Sequence, residues 1–283
     1  VSLIYTFEIF LRLAFSKGHG HFIKKIYAYK LRFQKIMSAF FLIANTCILL
    51  ACTKSNSNQM PLHTPDSTNI TTDTSTFIKD TSVKTYLALG DSYTIGESVP
   101  TSERYPVQTV GILNASKLNF QQPDIIAKTG WTTADLQNAI NNYHFTKSSY
   151  AIVTLLIGVN NQYHGRTQSE YKEQFTELLI KSIALAGGKA SHVVVLSIPD
   201  YSVTPFAGWR ADKTLIASEI DSFNMINKQI SGDYQVNYID ITGESRKAAT
   251  DLSLIASDGL HYSGKEYTIW ATLLAQQIEK ILR

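Results

Sequence analysis

Cysteine is nearly absent from this chain of 283 residues, with Cys47 and Cys52 the only two. Everything after Cys52 is free of thiols, which excludes disulfides, cysteine-based metal sites and a cysteine nucleophile there. An excess of charge of one sign is also missing from the main body. The formal charge of +3 arises before Cys52, where seven Lys/Arg face one Asp/Glu. The remaining 19 basic and 22 acidic residues leave the body slightly negative, without the electrostatic footprint of a nucleic-acid binder. Long hydrophobic runs are lacking too: the apolar stretch at 36–52 is 17 residues, where a bilayer span needs about 20. His144, His164 and His192 are scattered without metal-ligand spacing, so no metal or other cofactor is expected. What is present is ordinary globular composition, 44% hydrophobic and 17% charged.

The N-terminal segment reads as an address. Lys24, Lys25, Lys30, Arg32 and Lys35 precede "IMSAFFLIANTCILLAC", the layout of a secretory signal. Its end, Leu49-Leu50-Ala51-Cys52, resembles the lipobox of bacterial lipoproteins, in which the Cys is lipidated and becomes the first mature residue. The resemblance implies a membrane anchor at Cys52 and a protein facing the periplasm or cell surface. Thr53 rather than Asp follows the Cys, which by resemblance to lipoprotein sorting favours the outer membrane. Residues 53–84 are rich in Ser, Thr, Asn and Asp and read as a disordered tether. The expected organisation is a signal segment with an upstream extension at 1–51, the lipidated Cys and tether at 52–84, and a folded domain at 85–283.

From Tyr86 onward, short apolar runs alternate with helical patterns. The strands are expected at 86–90, 124–130, 151–158, 192–199 and 236–241. The helices are expected at 107–118, at 133–143 behind a Thr cap, at 169–188 with Ser169 as cap and glycines at its end, at 211–230 and at 263–283. Strands alternating with crossover helices predict a three-layer α/β/α fold. Its centre is a flavodoxin-like parallel sheet of about five strands with helices on both faces. No internal repeat is present. In such folds ligands bind at the carboxyl ends of the strands.

Those ends hold a particular set of residues. The first is Gly90-Asp91-Ser92, the second Thr129-Gly130-Trp131, the third Gly158-Val159-Asn160-Asn161, and the last loop reads Ser257-Asp258-Gly259-Leu260-His261. Alone, Gly-Asp-Ser is most simply a turn with an Asx hydrogen bond. Together the four ends supply a nucleophile, a base, a group to orient the base and oxyanion donors. The set resembles the SGNH hydrolases, also called GDSL esterases and lipases. "LGDSYTIG" matches their first block, Gly130 the second, Gly158 and Asn160 the Gly-x-Asn block, and Asp258 and His261 the Asp-x-x-His block. Tyr93 stands where the family name has Leu. The Gly-x-Ser-x-Gly elbow of α/β-hydrolases does not occur.

The resemblance implies Ser92 as nucleophile, His261 as base and Asp258 as the group that orients it. The oxyanion donors would be the Ser92 and Gly130 N–H groups and the Asn160 amide. A side chain at position 130 is expected to obstruct the reacting carbonyl. Asp91 is expected to be the turn's structural acceptor, and Asp251, off the Asp-x-x-His spacing, a weaker rival for Asp258. Trp131, Tyr163, His164, Arg166, Asp200 and Phe206 are candidates for contact with substrate; packing explains Trp131, Asp200 and Phe206 as well, and a surface position explains Tyr163, His164 and Arg166 better.

The activity implied is acyl-ester cleavage outside the cytoplasm. The absence of a long apolar lid segment favours small acyl esters or acetylated glycans. A lysophospholipase or thioesterase, an acyltransferase, and a non-catalytic binding lipoprotein are the alternatives.

Overall fold

The computed structural model describes residues 82–208, 210 and 212–283. The expected signal segment, Cys52 and most of the tether lie outside these residues. The last tether residues are part of the domain. Lys84 bridges Phe120 in parallel fashion, its N–H bonding the Asn119 carbonyl at 2.9 Å and its carbonyl taking the Gln121 N–H at 3.0 Å. Among the described residues no helix is long and apolar enough to cross a membrane.

The sheet has five parallel strands: β1 (Tyr86–Gly90), β2 (Asp124–Ala127), β3 (Ile152–Leu156), β4 (Val193–Leu196) and β5 (Asn237–Ile239), in the order β2-β1-β3-β4-β5. Leu87 pairs with Asp124 on one side and Val153 on the other, and Leu155 with Val195. β1, β3 and β4 are buried throughout, because helices cover both faces. The one polar residue inside β3, Thr154, bonds the Tyr86 hydroxyl at 2.9 Å.

Five longer helices clothe the sheet: α2 (Tyr105–Ala115), α3 (Thr133–Asn142), α5 (Gln168–Leu185), α6 (Lys213–Asp233) and α8 (Gly264–Leu282). α2 packs on α8, while α5 packs on both α3 and α6. α2 carries Pro106 in its first turn, where no amide donor is needed, and stops before Lys117 and Asn119, both at positive φ. It therefore ends three residues earlier than its apolar spacing suggests. α3 opens with a capping box: the Thr132 side chain accepts from the Asp135 N–H, and Asp135 accepts from the Thr132 N–H. α5 is capped by Thr167 rather than Ser169, with the Thr167 hydroxyl accepting from the Glu170 N–H at 3.1 Å. Trp270 of α8 anchors the core, its indole N–H donating to Glu266 at 2.7 Å and its ring packed on Tyr262 and Tyr267.

Three short helices follow strand ends: α1 (Ser92–Ile95) after β1, α4 (Val159–Tyr163) after β3 and α7 (Thr242–Ser245) after β5. The first two carry residues singled out from the sequence.

Candidate active site

Gly90 closes β1 against its neighbours so tightly that a Cβ would overlap the Thr94 hydroxyl and the Leu156 carbonyl. The chain then turns directly into α1. Asp91 caps that helix, Oδ1 accepting the Tyr93 N–H at 3.0 Å, the structural role expected of it. Ser92 is the first helical residue. Its N–H is one of the donors a helix start leaves free, and its side chain lines a cleft of about 270 Å³ while only 5% of the residue is exposed.

His261 faces the same cleft from the loop before α8. Its Nδ1 lies 2.5 Å from Asp258 Oδ2, and Asp258 Oδ1 accepts the Leu260 and His261 N–H groups at 2.9 Å each. Gly259, at φ 72°, closes this turn. Burial alone would raise the Asp258 carboxyl; hydrogen bonds from the His261 ring, the Leu260 N–H, the Ser98 hydroxyl and the His261 N–H outweigh it and hold the group well below the usual carboxylate range. Asp258 is therefore an anion, and an anionic oxygen at this distance calls for an Nδ1–H on His261 as donor. In that tautomer Nε2 is the ring's acceptor end. Tyr93 meets the imidazole edge-on, with centroids 5.6 Å apart.

Asn160, the second residue of α4, reaches the cleft from β3. Gly158 caps α4 at φ 134°, and a Cβ there would come within 2.7 Å of Ile198 and Tyr171. One amide hydrogen of Asn160 is spent on the Trp131 carbonyl at 2.9 Å, which orients the group and leaves the other N–H to point elsewhere. The same bond ties Asn160 to the loop holding Gly130. Gly130 sits at φ 83°, and its N–H makes no hydrogen bond among the described residues. A Cβ at Gly130 would meet no protein atom within 4 Å. The backbone conformation, rather than crowding by the protein itself, is what calls for glycine there.

Of the candidates for substrate contact, Tyr163 and Phe206 line the cleft. Trp131 is partly buried against the core and contributes its carbonyl to Asn160. His164 and Arg166 are exposed beyond the lining, His164 beside the Tyr163 ring. Asp200 has no exposed surface and does not reach the cleft. It accepts the Ser202 N–H at 2.9 Å and pairs with Arg246 at 2.8 Å, so its work is to hold the loop after β4. Asp251 caps a turn at Ser253 and pairs with Lys265 at 2.8 Å, apart from His261.

Sequence reasoning passed over Tyr201, Val159 and Leu260 of the lining. Tyr201 lies in the loop after β4, next to Asp200, but its facing depends on a hydrogen bond to Gln162 at 3.0 Å, a partner 39 residues away.

The sequence pattern of the GDSL-like lipase/acylhydrolase family matches residues 88–269, spanning every strand end described above. No curated protein matches the chain closely enough to count as a relative. Among solved structures, an acetylxylan esterase from Geobacillus stearothermophilus is similar at 18% identity over 69% of this chain and 94% of its own, with a TM-score of 0.54. A lipase/acylhydrolase from Enterococcus faecalis follows at 18%, 70%, 96% and 0.53. A lipolytic protein of the G-D-S-L family from Veillonella parvula follows at 19%, 70%, 97% and 0.51. At these identities the likeness is one of fold, which agrees with the three-layer architecture. With its match running from β1 into α8, the chain belongs to the GDSL-like lipase/acylhydrolase family and is an ester hydrolase.

Proposed function

We propose that the protein is an exported, lipid-anchored serine esterase. Ser92 is the nucleophile, His261 the base, Asp258 the orienting acid, and Ser92 N–H, Gly130 N–H and the Asn160 amide the oxyanion donors. The observation that carries the reading is the anionic Asp258 at 2.5 Å from His261 Nδ1, with His261, Ser92 and Asn160 lining one cleft. In the first half-reaction His261 Nε2 takes the Ser92 proton as Oγ attacks the ester carbonyl, and Asp258 stabilises the imidazolium that forms. The tetrahedral oxyanion is held by the three donors, each typically worth two to three orders of magnitude in rate, about 100- to 1,000-fold. His261 then returns the proton to the leaving alcohol. A water molecule activated by the same imidazole releases the acid and regenerates Ser92.

Small acyl esters, acetylated glycans among them, suit a cleft of about 270 Å³ walled by Tyr163, Tyr201 and Phe206. One fold neighbour is an acetylxylan esterase, which agrees with this choice. Export and lipidation at Cys52 rest on the sequence of the N-terminal segment.

A fluorophosphonate probe tests the assignment. The parent chain takes up the label, Ser92→Ala does not, and His261→Ala loses hydrolysis of p-nitrophenyl acetate. Near-parental turnover by His261→Ala overturns it. Across p-nitrophenyl esters of rising chain length, kcat/KM is highest for acetate or propionate; an optimum at long chains rejects the substrate class.

A further inference from the structure

The segment leaving α1 touches two other parts of the site. Gly96 and Glu97 both donate their N–H groups to the Ser92 carbonyl, so this segment is anchored on the backbone of Ser92 itself. From there the half-buried Glu97 carboxylate accepts the Thr129 hydroxyl, one residue before Gly130. Ser98 sends its hydroxyl the other way, to Asp258 Oδ2 at 2.7 Å, the same oxygen that takes His261 Nδ1. Ser98 does so from φ 65°, a left-handed conformation that a non-glycine residue adopts at a cost. No turn at this point requires a serine. Glycine fits the backbone better, and what serine adds is a short side chain whose hydroxyl bonds Asp258.

We propose that Glu97 and Ser98 are positioning residues, Glu97 holding the Gly130 loop and Ser98 holding Asp258, so that two adjacent side chains set the oxyanion donor and the acid relative to Ser92. The proposal rests on the functional reading above. Asp258 accepts four hydrogen bonds, two at each oxygen, and three of the four come from its own turn. Ser98 is the one donor that comes from the nucleophile's side of the site. It therefore carries the constraint between the two halves of the triad, through a bond that spans 160 residues of sequence. Thr129 and Gly130 are exposed, and Glu97 and the Asn160–Trp131 bond hold their loop from opposite ends.

The test uses the full chain, beginning with fluorophosphonate labelling of the parent and its loss in Ser92→Ala. Ser98→Gly relieves the backbone and removes the hydroxyl. The expected result is a melting temperature equal to or above the parent's, with kcat about tenfold lower at unchanged KM. The downfield proton resonance of His261 Nδ1–H also shifts. Glu97→Ala lowers kcat by a similar factor, about tenfold, while Glu97→Gln, which keeps an acceptor for Thr129, retains most of the parental kcat. A labelled parent whose Ser98→Gly and Glu97→Ala variants both keep parental kcat overturns this inference alone. So does a loss of kcat in Ser98→Gly matched by a loss of thermal stability with the resonance unmoved. A parent that takes no label overturns the functional reading and this inference with it.

Discussion

Asp91 has no exposed surface, and only one of its carboxylate oxygens has a partner: Oδ1 takes the Tyr93 N–H, while Oδ2 is buried without one. Burial pushes the carboxyl up to about 7, against hydrogen bonds from the backbone that pull it down. The effect on stability is the reverse of the usual carboxylate case. Between the unfolded value of about 4 and the folded value, the native state binds more protons than the unfolded state, so stability falls as pH rises. The loss begins near pH 4, is complete just above pH 7 and amounts to a few kcal/mol, on the order of the cost of holding one such charge buried. Asp91→Asn keeps an acceptor for Tyr93 and removes the titration. In urea denaturation its stability relative to the parent is expected to be higher at pH 8 than at pH 5. A parent that gains on the variant between those values would show the carboxylate to be stabilised as an anion. The capping role was legible in the sequence, because Asx hydrogen bonds are local. The burial was not, since it is imposed by helices distant in sequence.

At the scale of elements, the turn from β1 into α1 is the device that presents Ser92. It works because Gly90 lets the strand end pass beneath Thr94 and beside Leu156 without a side chain between them. Gly90→Ala is expected to cost about 1–3 kcal/mol or more in stability and to lower kcat by displacing Ser92, read by thermal melting and ester hydrolysis together. Retention of both would mean that the β1–α1 junction moves freely. The strands were legible as short apolar runs, and the long helices because each spans several turns of its own pattern. α1, α4 and α7, of four or five residues, complete too few turns to show a helical period. The expected cap of α5, Ser169, is instead its second residue, because the Thr167 hydroxyl takes the Glu170 N–H and starts the helix earlier.

At the scale of the whole molecule, the site is a property of the sheet. Gly90 and Leu156 are register partners on neighbouring strands, so the loops bearing Ser92 and Asn160 leave the same edge together. The order β2-β1-β3 puts Gly130 on the other side of Ser92, and the return of the chain through α8 against α2 brings the Asp258–His261 turn over it. The proposed anchor at Cys52 is tested at this scale too. In the organism or a lipoprotein-processing host, Cys52→Ser is expected to lose fatty-acid labelling and leave the membrane fraction, with esterase activity per molecule unchanged. Membrane association that survives the substitution would reject lipidation as the anchor.

The sequence by itself determined the layered parallel fold, the family, and the places where Ser92, Gly130, Asn160, Asp258 and His261 leave their strands or loops. These are written in short patterns whose physics is local: apolar runs, caps, and glycines at positive φ. Tertiary structure alone decided that Asp200 serves Arg246 rather than the cleft, that Tyr201 lines it, and that Ser98 reaches Asp258. Each of these depends on a partner between 39 and 160 residues away or on which face a loop turns inward. A hydrogen bond or a burial of that span is selected by the packing of the entire sheet and its helices, and no local pattern records it.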